Sequence, residues 1–230
     1  MTYSKPRTLA YALLAALALL AACSGDEEAE EVDPAQLLEE AAARTEQLES
    51  FHFLLEHERG TTQIVRGLRM VRAEGDVAGP DELQLAVDAA FGSLNVRVDI
   101  IVLGDQSWIT NPLTGRWERE QISLDQIFDP ATGVTALMRA VADPRLEGTE
   151  VVDGVESHRV TATVDSGDVR LFGQPAPGQA LQATAWIGVE DRLVRRIEVV
   201  GPLAAGEPAD LVRRVTLSNF DADVEIEPPR

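Results

Sequence analysis

Residues 94–103 alternate most plainly: Leu94, Val96, Val98, Ile100 and Val102 share one side, and Asn95, Arg97 and Asp99 share the other. Successive side chains of a strand point to opposite faces, so this is a half-buried strand. Comparable runs predict strands near 51–58, 62–76, 82–91, 157–164, 180–188, 192–200, 211–220 and 224–227. Gly104-Asp105 and Asn111-Pro112-Leu113-Thr114-Gly115 link 94–103, 106–110 and 116–118. Links this short make antiparallel neighbours, not parallel crossovers. Asp153-Gly154 is a two-residue hairpin turn between Val151-Val152 and Val155.

A helical period appears in two regions. Asp33-Pro34-Ala35-Gln36 opens a helix over 34–48 with Leu37, Leu38, Ala41, Ala42 and Leu48 on one face. Ser123-Leu124-Asp125-Gln126 repeats the capping pattern. After Asp129-Pro130, Val134, Leu137, Met138 and Val141 fall at i, i+3, i+4 and i+7, a stripe that must pack on something apolar. About ten strands that do not alternate with two helical regions indicate the α+β class, with one large antiparallel sheet curled by helices on one face.

Residues 1–22 stand apart from that domain. Lys5 and Arg7 precede an apolar run from Leu9 to Leu20, and small residues follow, which is the layout of a signal peptide. The run is shorter than the roughly 20 apolar residues a bilayer span needs. Cleavage before Cys23 leaves residues 23–33 as an acidic tether and 34–230 as the folded domain. The small and acidic stretch Ser24–Asp33 has no periodicity and reads as solvated chain. It reaches at most about 35 Å when extended.

Cys23 is the chain's single cysteine. An exported chain with one cysteine has no internal disulfide. Leu20-Ala21-Ala22-Cys23 resembles the lipobox of bacterial lipoproteins, where the cysteine sulfur receives a diacylglyceryl group and the new N-terminus is open to acylation by palmitate-type chains. The expected location is therefore the extracytoplasmic side of the membrane, held by that anchor.

Without residues 1–22 the chain keeps 18 Arg, no Lys and 39 acids, a formal charge of −21. Such a chain repels phosphate backbones, so nucleic acid is excluded as a partner. His52 and His57 are five apart in a strand and face opposite ways, and His158 lies elsewhere. No metal-ligand spacing, no nucleophile elbow and no phosphate loop occurs, so no metal, cofactor or catalytic residue is expected. Trp108, Trp117 and Trp186 are scattered, and the expectation is that they close the ends of the core.

Aliphatic residues dominate the strands instead. A curled sheet under apolar helices can enclose a hydrophobic cavity. Burying an acyl chain of about 16 carbons there returns about 13 kcal/mol at about 0.8 per methylene, close to the cost of drawing it from a bilayer. The wall expected for that cavity is Val96, Val98, Ile100 and Val102 from the strand facing Val134, Leu137, Met138 and Val141 from the helix.

Several motifs in order resemble the LppX/LprAFG family of lipoproteins: the lipobox at Cys23, Ser50-Phe51-His52-Phe53, Asn111 to Trp117, Val152-Asp153-Gly154-Val155, Trp186-Ile187-Gly188 and Val215 to Phe220. The agreement runs over roughly residues 34–228. The resemblance implies a half-barrel of antiparallel strands with helices on its concave face, akin to the LolA and LolB carriers. It also implies a cavity that holds acylated lipids or glycolipids for movement across the envelope, with an envelope transporter as a candidate partner. It implies no catalytic residues. Two other readings stay open at this point: a non-enzymatic envelope sensor or protein-interaction module on the same fold, and an envelope hydrolase, which would need a polar cleft with perturbed acids or a histidine.

Overall fold

The computed structural model describes residues 32–122, 130–169 and 178–230. Its order is α1 (Pro34–Thr45), β1 (Ser50–Arg59), β2 (Thr62–Gln63), β3 (Arg69–Ala78), β4 (Glu82–Phe91), β5 (Leu94–Leu103), β6 (Gln106–Thr110) and β7 (Trp117–Arg119). There follow α2 (Pro130–Ala140), β8 (Val141–Val152), β9 (Val155–Asp165), β10 (Ala180–Gly188), β11 (Val194–Val200) and β12 (Val212–Ser218). The strands make one 12-stranded sheet, ordered β7-β6-β5-β4-β3-β1-β12-β11-β10-β9-β8 with β2 beside β3. Every pairing is antiparallel, as the short links require. The sheet is curled and open, the α+β half-barrel that the strand and helix patterns indicate.

Register lines up one apolar row across eight strands. Val98 on β5 faces Val87, then Ala73, Leu55, Val215, Ile197, Ala185 and finally Val160 on β9. All eight are 0–7% exposed. Gly75 sits beside this row, where a Cβ would fall 2.0 Å from the Gln84 carbonyl oxygen and 2.7 Å from the Leu85 Cα. Only glycine lets β3 and β4 approach so closely there. On the opposite face Arg72 pairs with Glu74 (2.7 Å) and Glu56 (3.8 Å), and Arg214 pairs with Glu198 (2.7 Å) and Glu58 (2.9 Å).

The local signals act as expected at several places. Asp33 caps α1 by accepting from the Ala35 and Gln36 amides, with Pro34 in the first turn. Gln36 turns outward to Glu40 (2.7 Å), so the capping box is not reciprocal. Asp153 and Gly154 both have positive φ (48° and 85°), the geometry of a type I′ hairpin.

Other expectations need correction. The second helix stops at Ala140, and Val141 begins β8. Pro144 explains the stop, since the residue before a proline avoids helical backbone and proline lacks the amide a helix needs. Residues 224–227 do not form a strand; Val224 and Ile226 lie on the outer face against Ala78, Ile101 and Trp108. Two of the three tryptophans belong to that outer patch rather than to the ends of the core. Trp186 is also on the outer face, its indole N–H donating to Glu150 (3.0 Å), with Arg159 and Arg196 over the ring. The Trp186 ring thus meets a carboxylate at its N–H and guanidinium groups at its face. The capping pattern at Ser123–Gln126 falls outside the described residues.

Both sheet edges discourage further pairing. β7 is three residues long, and β8 carries register shifts, Pro144 and a Gly148 at φ 124°.

At the Arg59 end of β1 a buried polar network plugs the half-barrel. Arg213 and the Glu207 side chain are each 2% exposed. Arg213 donates from Nε to His57 Nε2 (3.2 Å) and from Nη2 to Thr62 Oγ1 (2.8 Å) and Glu207 Oε1 (2.5 Å). Glu207 Oε2 accepts the Leu203 and Ala204 amides at 2.9 and 3.0 Å. Burial and the adjacent Arg213 cation push the His57 imidazole down to about 3, so it stays neutral and can accept. Replacing Arg213 by Ala strands the buried carboxylate and is expected to cost about 3–5 kcal/mol in urea unfolding. Acid gives a second check. The unfolded chain takes a proton on His57 near its ordinary value of 6.5, whereas the fold resists down to about 3. Stability is therefore full above that window and falls as pH drops through it, and His57→Gln should flatten that part of the pH–stability curve.

Candidate functional site

α1 and α2 pack on each other; α1 also touches β8 and β11, and α2 touches β9. The α2 stripe meets the apolar row there. Val134 and Leu137 border a void with Ile197, Val199, Leu203 and Val215. Leu137, Met138 and Val141 border another with Leu38, Val160 and Ala183. Each void is about 10 Å³, room for one water at most, and apolar.

The other half of the expected wall lies elsewhere. Val98, Ile100 and Val102 are buried on the same face of the sheet and Val96 is half-buried, in register with Val87, Leu85, Leu83 and Ala89 of β4. None of the four borders either void or the pocket described next. The helix stripe and the β5 row thus belong to one apolar face but not to one hollow among the described residues. Cys23 lies outside those residues.

The large opening is at the Ser50 end of β1, opposite the buried network. A pocket of about 890 Å³ is bounded by the segment after α1, the start of β1, the β3–β4 turn, Thr135 of α2 and the tail at 221–224. That volume is within the range of small-molecule sites. Leu48, Phe51, Val77 and Ala78 supply apolar surface, while Glu46, Glu49, Glu82, Asp221 and Asp223 supply carboxylates. The tail is tied in place: the Glu49 amide donates to Asp221 Oδ1 (2.8 Å), and Ser50 Oγ donates to the Ala222 carbonyl (2.6 Å). Gly79-Pro80 forms the β3–β4 turn, and Asp221 and Asp223 are separated by one residue in the tail, far from it in sequence. Nothing local shows that the turn and the pair converge.

Arg139 of α2 reaches back to Glu46 (2.9 Å) and Glu39 (3.3 Å), tying the helices together beside the pocket. Its guanidinium holds the Glu46 carboxyl below the usual range. His52, on the outer face, contacts Asp76 (2.8 Å) and Glu74 (3.5 Å). His158, on the inner face, is pushed down chiefly by burial and then by Arg192. No group of three or more His, Cys, Asp or Glu among the described residues is placed to hold a metal ion.

The profile of the LppX_LprAFG lipoproteins matches residues 33–226. The chain belongs to this family. It is 26% identical to the lipoarabinomannan carrier protein LprG of Mycolicibacterium smegmatis over 95% of this chain and 94% of that one. LppX of Mycobacterium tuberculosis, a proposed phthiocerol dimycocerosate transporter, is 36% identical over 67 residues; the match spans 29% of this chain and only 28% of that relative's length. Among solved structures, LprF of Mycobacterium bovis superposes with a TM-score of 0.65 at 19% identity, over 85% of this chain and 96% of that one. The crystal structure of LppX gives 0.62 at 24% identity, over 85% and 100%. These two likenesses establish the curled-sheet fold.

Replacing Arg139 by Gln should return the Glu46 carboxyl upward to the ordinary carboxylate range, read by NMR titration. The exposed setting of the pair means the melting temperature should barely move.

Proposed function

We propose that this family member is a membrane-anchored lipoprotein, lipidated at Cys23, that takes acylated lipids or glycolipids tails first and carries them across the cell envelope. The observation carrying the reading is the open pocket of about 890 Å³ with apolar surface at Leu48, Phe51 and Val77, next to a helix that itself overlies dry apolar voids. α2 supplies Thr135 to the pocket and Val134 and Leu137 to the void beneath it. An outward shift of α2 would join the two spaces and lengthen the hollow for fatty chains. The names of LprG and LppX, a glycolipid carrier and a proposed lipid transporter, support the same ligand class. In this proposal the domain beyond residue 33 binds, the tether holds it near its membrane, and an envelope transporter is the candidate partner. No covalent step is involved.

The cavity wall is proposed in two parts, with α2 residues Val134, Leu137, Met138 and neighbouring Val141 as the movable side and β5 residues Val96, Val98, Ile100 and Val102 as the fixed side reached when the helices part. The experiment is uptake of a fluorescent diacyl probe from vesicles by the purified lipoprotein, with native mass spectrometry of what co-purifies. Leu137→Trp should reduce uptake about tenfold or more, and Leu48→Trp, at a half-buried position lining the open pocket, should do the same with little change in stability. Apo protein that takes up no probe would overturn the reading and leave a sensor or interaction module.

A further inference from the structure

The outer face of the sheet holds a second hollow, on the other side of the strands from the apolar row. Its volume is about 340 Å³, and His52, Asp76, Gln84, Arg97, Asp99 and Trp117 border it. That volume lies at the low end of the range for small-molecule sites. Register explains the hollow. On this face Ala86 of β4 stands between Glu74 of β3 and Asp99 of β5. The neighbouring row along the strands holds His52, Asp76, Gln84 and Ile101, and the row on the other side holds Asp88 and Arg97. One methyl group thus lies among long side chains, and the surface is dented where it sits. Trp117, packed against the Trp108 patch, walls the β7 side.

The wall narrows what can sit there. Arg97 only donates hydrogen bonds, ionised Asp76 and Asp99 only accept, and Gln84 and His52 do both. His52 Nδ1 lies 2.8 Å from Asp76 Oδ1, and Arg97 Nη1 donates to Asp88 Oδ1 at 3.4 Å, so both side chains are aimed by a neighbour. Among the described residues the Asp99 carboxylate and the Gln84 side-chain amide have no hydrogen-bond or ion-pair partner. Arg97 disfavours a cationic ligand, the carboxylates disfavour an anion, and a fatty chain leaves every polar group unpaired. A neutral sugar ring suits them all, because its hydroxyls donate and accept while its C–H face lies on an indole.

We infer that this hollow is a second ligand site, which takes one neutral hexopyranose unit. Trp117 covers the C–H face of the ring, Asp99 and Gln84 bind its hydroxyls, and Arg97 and the His52–Asp76 pair complete the circle of partners. The site stands independently of the lipid-carrier reading, since the apolar face takes no part in it. A free glycan and the sugar of a glycolipid present the same ring. Asp76 and Gln84 lie two residues along β3 and β4 from Ala78 and Glu82 of the open pocket, about 7 Å, so a lipid-borne sugar is within reach.

The test is an NMR titration of the full-length, ¹⁵N-labelled lipoprotein in nanodiscs with methyl glucoside, methyl mannoside and methyl galactoside. At least one should shift the Trp117 indole N–H saturably, with half-saturation at about 1–10 mM, while Trp186 stays in place. Asp99→Ala removes a charged acceptor, and Ala86→Gln fills the dent. Each should raise that half-saturation about tenfold or more. Both positions face solvent, and an unmoved Trp186 signal checks the fold of each variant. Hexyl glucoside below its micelle concentration separates the sources. Shifts at Phe51 and Val77 alongside Trp117 mark a lipid-borne sugar, and Trp117 alone marks a free glycan. No saturable Trp117 shift with any methyl hexoside, or one that Ala86→Gln leaves intact, would overturn the site; vesicle uptake judges the carrier reading separately.

Discussion

A face of the sheet that cannot be left in water governs this molecule. Eight strands place a valine, leucine, isoleucine or alanine at the same level of the register, from Val98 to Val160, and every one is nearly sealed. Burying an aliphatic side chain fully is worth about 1.5–3 kcal/mol, so leaving such a row exposed would outweigh the net stability of an ordinary domain. The row has two ways to be covered in an open sheet, by curling on itself and by taking apolar helices, and the chain uses both. Gly75 permits the tight approach of β3 and β4 within the curl, and the Leu37-Leu38 and Val134-Leu137-Met138 stripes bring the helices.

The two ends of this half-barrel follow different electrostatic rules. At the Arg59 end a cation and a carboxylate are both removed from water, and each is held by further hydrogen bonds, so the charges cancel locally. Such a pair contributes specificity of closure more than stability, since the desolvation of both ions offsets most of their attraction. At the Ser50 end the carboxylates keep contact with solvent and keep their field.

Much of the fold is legible in the sequence because strand alternation and turn chemistry are local. The 94–103 strand, the Asp33 cap and the Asp153-Gly154 turn follow from neighbours within a few residues. Where a long-range effect decides, local reading fails. Val141 continues the helical period but starts a strand, because Pro144 and pairing with Val164 outweigh it. Val224 and Ile226 alternate like a strand yet find no edge to join, since β7 and β8 end the sheet elsewhere. The apolar face of the sheet is legible as a class of residues, while its partition is not. Which strand lies under α2 depends on the sheet order, and that order puts β9 to β12 there instead of β5. The mouth was least legible of all, being assembled from a turn, a helix end and a tail that are far apart in sequence.

A tightly filled interior is compatible with a carrier when the two layers differ in what holds them. The sheet is fixed by backbone ladders along every strand and by the sealed row. The helix pair is fixed to itself partly by exposed ion pairs through Arg139, which water and salt screen. Separating α2 from β9–β12 exposes apolar surface, and a fatty chain entering the gap covers that surface again. In the proposed carrier the ligand would return the cost of opening, which would couple opening to loading. A permanently wide cavity would lose that coupling, because it would hold water or collapse whether or not cargo arrived. The voids of about 10 Å³ mark where packing between the layers is already incomplete, and so where parting costs least contact.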